Sequence, residues 1–220
     1  MSQSKPVYDN NRLKTIVVNM FPEHEVMFIY YCGSIAYQTT SDNSDIDITV
    51  VLHGFRGLIH TSLEGIDIFG YGYEDFCKRQ SMNTDVPLYN RLHADDIINA
   101  KDHLVYLNPL FENEFNELVD SDFANYLDKY LDTVIEYYDQ IINKDNMLVK
   151  RAYHILRIRA ILDNFLNTGE YSLTLPVEWI QRIDELKMNW DKENDAIYLS
   201  TLRKYLDEIK EIRNKVLQHE

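Results

Sequence analysis

Gly33-Ser34-Ile35-Ala36-Tyr37-Gln38-Thr39-Thr40-Ser41-Asp42-Asn43-Ser44-Asp45-Ile46-Asp47 decides the reading of this 220-residue chain. The stretch leaves residues 26–31 (Val-Met-Phe-Ile-Tyr-Tyr), a short apolar run of strand character, and enters residues 45–52, which alternate. Ile46, Ile48, Val50 and Leu52 fall on one face of that second strand, and Asp45, Asp47 and Thr49 on the other. A turn at Gly33-Ser34 exposes backbone N–H groups and one hydroxyl, a combination suited to a phosphate. Two residues apart on a strand, the Asp45 and Asp47 carboxylates emerge side by side. Adjacent anions repel, and a cation between them removes the repulsion. Hard divalent ions such as Mg²⁺ take one or two carboxylates and complete their shell with water and phosphate oxygens. Residues 66–69 (Ile-Asp-Ile-Phe) read as a third strand, on which Asp67 is placed to supply a third carboxylate.

Outward from this stretch the chain changes character. Six of the seven glycines lie between Gly33 and Gly72, where turns and close backbone approaches are needed. Before it, Leu13, Ile16, Val17, Met20 and Phe21 recur at helical spacing until Pro22. Beyond residue 110 the period is helical throughout. Phe123, Tyr126, Leu127, Tyr130, Leu131, Val134, Ile135, Tyr138 and Ile142 define one helix, with Ser121 as its expected N-cap. A second is expected over 148–166, stopped by Gly169; a third around Trp179, Ile180, Ile183 and Leu186; and a long last one from Ile197 to Val216. The expected fold class is therefore α+β, a small mixed β-sheet domain over 1–110 followed by a C-terminal helical domain over 111–220.

Composition narrows the function. With 22 Lys+Arg against 36 Asp+Glu the net charge is −14, a field that repels polyanions, so non-specific DNA binding is not expected. The longest apolar run, 26–31, is far short of the roughly 20 residues that cross a bilayer, so no membrane partner is expected either. Cys32 and Cys77 are the only cysteines, which rules out a four-cysteine zinc site and a disulfide framework. The start of the chain carries no apolar signal stretch, and a cytoplasmic location is the default expectation. An EF-hand at Asn43–Asp47 fails because Ile48 follows where the loop needs glycine.

Gly33-Ser34-Ile35-Ala36-Tyr37, a polar loop, Ser44-Asp45-Ile46-Asp47 and then Asp67 on a later strand resemble the DNA polymerase β-like nucleotidyltransferases. The likeness is greatest to the subgroup associated with RNA-repair ligases. Residues 66–71, leading into Glu74-Asp75-Phe76, resemble that subgroup's third element, and residues 150–157 resemble its basic helix. Gln38 stands where the pattern has glycine, and Ile35 where arginine is common. The resemblance implies that Asp45 and Asp47 hold two Mg²⁺ ions, with Mn²⁺ the other hard ion such a site accepts. It implies that Asp67 binds one ion and takes the acceptor's proton. It further implies that Gly33 and Ser34, with the adjoining Ser44, contact an NTP such as ATP, whose nucleoside monophosphate goes to an RNA, protein or small-molecule acceptor. A non-catalytic member of the same fold, acting by partner binding in a toxin–antitoxin or defence system, is the alternative.

Two further patterns stand out. Lys144, Lys150, Arg151, Arg157 and Arg159 face Asp145 alone over 144–159, after a strongly acidic segment. Lys150, His154 and Arg157 share one helical face. That face reads either as a salt-bridged face packed on the acidic preceding helix or as a wall for nucleotide phosphates or an RNA acceptor, in a cleft between the halves. Arg213 to His219 resembles the Arg-polar-x4-His signature of HEPN-type helical domains, a spacing that an ordinary solvated terminal helix also produces.

Overall fold

A computed structural model describes residues 9–40, 44–98, 100–142, 149–188 and 195–218. Ser41, Asp42, Asn43, Lys144, Asp145, Leu148 and His219 of the patterns above lie outside the described residues. The architecture is an N-terminal mixed sheet followed by a bundle of long helices, the α+β class expected from the sequence.

The described chain opens with helix α1 (Asn10–Met20), whose cap Asp9 accepts from the Arg12 amide, satisfying one of the donors a helix start leaves unpaired. Strand β1 (Glu25–Tyr31) follows, then the single turn α2 (Gly33–Ala36) and strand β2 (Ile46–His53). Strands β3 (Leu58–Leu63) and β4 (Ile66–Gly72) come next, and helix α3 (Tyr73–Gln80) leaves the sheet. Strand β5 (Leu104–Leu107) and helix α5 (Glu112–Val119) come later, after the short α4 (Leu88–Arg91). The sheet order is β3-β4-β2-β1-β5. Only β2 and β4 are parallel, and every other neighbouring pair is antiparallel.

Strand β2 is central, so both of its faces are covered. Ile48, Val50 and Leu52 pack with Ile66 and Ile68 of β4 and with Leu13 and Val17 of α1. On the opposite face Val51 packs with Met27, Phe28, Tyr30, Phe76, Phe115 and Val119. Asp47 and Thr49 are in phase with this second face by strand alternation. The helix immediately after residue 110 therefore covers the sheet, through Phe115 and Val119.

The helical part consists of α6 (Leu127–Ile142), α7 (Val149–Thr168), α8 (Val177–Met188) and α9 (Asp195–Gln218). Contacts gather the described residues into two compact units. One comprises the residues up to Ser81 with Asp95–Ser121, the other Met82–Ala94 with those from Asp122 onward. Ser121 is not the cap of α6. Its hydroxyl turns back to the Leu118 carbonyl at the end of α5. Asp122 instead accepts from the Ala124 amide and opens a 3₁₀ turn (Phe123–Tyr126) ahead of α6. Gly169, at φ +75°, ends α7 by donating its amide to the Phe165 carbonyl.

Candidate functional site

Asp47 and Asp67 are partners in the parallel ladder between β2 and β4. Adjacent strands run about 4.8 Å apart, so these two half-buried carboxylates start from neighbouring backbone positions on one face of the sheet. Asp45 is exposed and lies just ahead of β2, next to Ile46, whose amide donates to Gly65. The structure brings Asp47 and Asp67 together, and Asp45 lies two residues upstream of Asp47, at the open end of the ladder.

Gly33 closes on the same place. Its φ is +58°, the left-handed region that favours glycine, and the backbone is pressed against Asp47. A Cβ added there would sit 2.0 Å from Asp47 Oδ2 and 2.9 Å from Asp47 Cβ. The preceding amide, Cys32 N–H, donates to the Asp47 carbonyl at 2.9 Å. The turn and the carboxylate are thus fixed to each other by a hydrogen bond and by the absence of a side chain. Beside them the Ser34 hydroxyl oxygen is buried without a hydrogen-bond partner. A buried hydroxyl left unpaired costs on the order of 1–3 kcal/mol, which a phosphate oxygen or a water in contact would remove. Ser44, ahead of Asp45, is half-buried. The turn ends at Gln38, which adopts φ +55° with its amide on the Ile35 carbonyl. The pattern's glycine at this place has a steric reason.

On its other side Asp67 faces Ser62 of β3, its antiparallel partner, whose hydroxyl donates to Asp67 Oδ1. Sequence reading missed Ser62, and a signal for it exists. Glu64 and Gly65, both at positive φ (53° and 81°), form a two-residue hairpin turn, and counting outward from such a turn sets Ser62 opposite Asp67.

Beneath the site a buried network ties β1 and α3 to Asp96. Tyr30 donates its hydroxyl to Asp96 at 2.8 Å, and Arg79 pairs with Asp96 at 2.8 Å, its guanidinium over the Tyr71 and Phe76 rings. Burial, then the Asp96 charge, pushes the Tyr30 phenol well above its ordinary range. Burial likewise raises the Cys32 thiol, further helped by Asp96 and Asp47, so it is a protonated core residue rather than a nucleophile. Cys77 is raised by burial too.

The basic face of α7 divides by depth. Lys150 is exposed, but His154 and Arg157 are buried, 6% and 5% exposed respectively. Arg159 of the same helix bonds Glu208 at 3.0 Å and Asp163 at 3.1 Å. Arg213 bonds Asp132 of α6.

No protein-family model matches the chain, and no curated protein matches it. Among the described residues, no group of three or more His, Cys, Asp and Glu side chains is arranged to hold a metal ion, and no helix is long and apolar enough to cross a membrane.

Proposed function

We propose that the sheet unit carries a Mg²⁺-dependent nucleotidyl transfer, moving a nucleoside monophosphate from an NTP to an acceptor hydroxyl. The observation that carries the reading is the register of Asp47 against Asp67 with the Gly33 turn pressed onto Asp47. Two carboxylates on adjacent strands next to a tight turn and an unpaired buried serine hydroxyl join a cation-binding edge to a phosphate-binding one. The donors are carboxylate and hydroxyl oxygens, which fit a hard ion. Asp45, Asp47 and Asp67 would hold it, with phosphate oxygens and water completing the shell. When bound, such ions neutralise charge on the attacking and leaving oxygens of an in-line displacement.

The remaining work falls to the chain's own groups. Gly33 and Ser34 hold the outer phosphates through the turn's N–H groups and the serine hydroxyl. Ser62 occupies Oδ1 of Asp67 and leaves Oδ2 to accept the proton of the acceptor hydroxyl. The acceptor oxygen bonds to the α-phosphorus as the bond to the bridging oxygen breaks, and pyrophosphate leaves. The second reading, a non-catalytic fold that acts by binding a partner, is favoured by the described residues' lack of a preformed three-ligand metal cluster. Incubating the protein with each α-labelled NTP, Mg²⁺ and cell extract tests the two. Label appearing on an acceptor with wild-type protein and not with Asp47→Asn supports transfer. No label with any of the four nucleotides, in Mg²⁺ or Mn²⁺, rejects it.

A further inference from the structure

We propose that the open edge of the sheet, strand β3, is the surface through which two copies of this chain associate, β3 against β3 about a two-fold axis at His60. The surface does not depend on the nucleotidyl-transfer reading.

Strand β3 ends the sheet, and among the described residues no strand lies beyond it. It runs opposite β4 without a register shift, from Leu58–Tyr71 to Leu63–Ile66. The two-residue turn at Glu64-Gly65 makes Leu63 and Ile66 a hydrogen-bonded pair, and such pairs alternate along an antiparallel ladder. Ile59, Thr61 and Leu63 therefore turn their backbone groups inward to β4. The Gly72 amide, donating to the Gly57 carbonyl at 3.0 Å, keeps the same phase. Leu58, His60 and Ser62 turn theirs outward, each with an N–H and a C=O. Natural sheets blunt such an edge with charge, proline, a bulge or a cover. Residues 58–63 (Leu-Ile-His-Thr-Ser-Leu) hold no Lys, Arg, Asp, Glu or Pro, although charged residues make up 26% of the chain. Leu58 and Leu63 are 45% and 40% exposed. The opposite edge is built differently. Strand β5 has four residues, its register against β1 shifts between Ile29 and Tyr30, and Asn10 of α1 donates to its Leu104 carbonyl at 3.4 Å. One edge is blunted and the other is left able to pair.

The occupant that fits is a second copy. In an antiparallel pair about His60, the outward groups of His60 meet those of the same residue, and those of Leu58 meet those of Ser62. Every outward N–H of the three residues then finds a carbonyl. The flanks agree in charge. Arg56 lies four residues before His60 and Glu64 four after it, and both are exposed. Among antiparallel two-fold registers, this one alone sets Arg56 of each copy level with Glu64 of the other. Glu64 also pairs with Arg12 of its own copy at 3.2 Å, but its side chain is 52% exposed, and a carboxylate accepts from more than one donor. A strand from an unrelated protein would satisfy the backbone, whereas the matching of Arg56 and Glu64 about His60 is a property of the chain against itself. Isologous pairing uses the open edge of both copies, so association closes at two.

The test is sedimentation velocity of the full chain at low salt, from micromolar to millimolar concentration. Wild-type protein is expected to pass from 26.1 kDa to twice that mass and to stop there. His60→Pro removes an outward N–H and none that bonds β4, so it should melt close to wild type and stay monomeric. Arg56→Glu and Glu64→Arg, which alter exposed side chains outside the strand, should each weaken self-association by about tenfold as two facing pairs turn from attraction to repulsion. An equimolar mixture of those two variants should recover the dimer, because the heterodimer restores both pairs. Asp47→Asn should associate like wild type, which separates a failure of this surface from a failure of nucleotidyl transfer. A chain that stays monomeric throughout overturns the proposal and leaves the edge to a strand of another protein. Growth beyond the dimer overturns it too, as does a folded His60→Pro that still dimerises or a mixture no tighter than its two components.

Discussion

Asp47 and Asp67 stand side by side on adjacent parallel strands, and the carboxylate of Asp47 fills the space that a side chain at residue 33 would need. The chain thereby sets two like charges next to each other and builds the only turn residue that can lie against one of them. Like charges directly across a ladder destabilise by about 0.2–1 kcal/mol. Without a counter-ion, then, this edge of the sheet is a cost to folding.

Asp67→Asn removes that repulsion while keeping an oxygen for the Ser62 hydroxyl. In EDTA its Tm should equal or slightly exceed that of wild type. Adding Mg²⁺ should raise the wild-type Tm and leave the variant unmoved. Transfer from labelled NTP should fall by about 10²-fold or more in Asp67→Asn, as when a group acting directly on the transition state is lost. A variant that keeps its transfer rate would remove Asp67 from the site.

Gly33→Ala should be costlier than Gly65→Ala. Both positions have positive φ, but a Cβ at Gly65 meets nothing within 4 Å, whereas one at Gly33 meets the Asp47 carboxylate at 2.0 Å. The backbone term, about 1 kcal/mol, is common to both. The excess in Gly33→Ala measures the displacement of Asp47, and transfer should fall with it while Gly65→Ala stays active. Urea melts on the pair, beside the labelling assay, read both quantities.

Most of this site was legible from residue spacing. The alternation of Ile46, Ile48, Val50 and Leu52 against Asp47 and Thr49 arises from a strand covered on both faces by different cores. Depth, however, was beyond the reach of spacing. Lys150, His154 and Arg157 do share a face, but the sequence cannot tell that one of them stays at the surface while two are buried. Strands β3 and β5 escaped for a related reason: both are edge strands, and β3 is mostly exposed, so neither carries the alternation that a half-buried strand shows. Ser62 went unseen with β3.

Gln38 offers a backbone test free of side-chain effects. Its φ of +55° favours glycine, the residue that the resembling pattern has there. Gln38→Gly and Gln38→Ala both lose the side chain, so their difference isolates the backbone. The glycine variant should be more stable by about 1 kcal/mol. Equal midpoints in urea would show that the turn relaxes out of the left-handed region at no cost.

Asp96→Ala should be among the most damaging changes in the sheet unit. It leaves the Arg79 guanidinium buried without its carboxylate and strips the Tyr30 hydroxyl of its acceptor. Breaking a buried pair from one side costs about 3–5 kcal/mol, against about 0–1 kcal/mol for an exposed pair such as Arg12–Glu64. Equilibrium unfolding of Asp96→Ala and Glu64→Ala compares them directly, and similar losses in the two would contradict the burial argument.

His154 should make the stability of the helical unit depend on pH in one direction only. Burial first, then the charges of Arg157, His93, Lys150 and Arg151, hold its folded pKa well below the ordinary 6.5. Above about pH 6.5 the imidazole is neutral whether the chain is folded or not, and its contribution is fully present. Below that the unfolded chain takes up a proton that the folded one refuses, so stability falls as pH drops. For one proton the slope is at most about 1.4 kcal/mol per pH unit. His103, lowered by its own burial, adds a component of the same sign in the sheet unit. His154→Gln removes the larger one. Between about pH 7.5 and about pH 5, urea midpoints should therefore separate wild type from His154→Gln by an amount that holds above about pH 6.5 and shrinks below it. A separation that stays constant over that range would mean that His154 takes up its proton as readily in the folded protein as in the unfolded chain, and that neither burial nor its neighbours' charges lower its pKa.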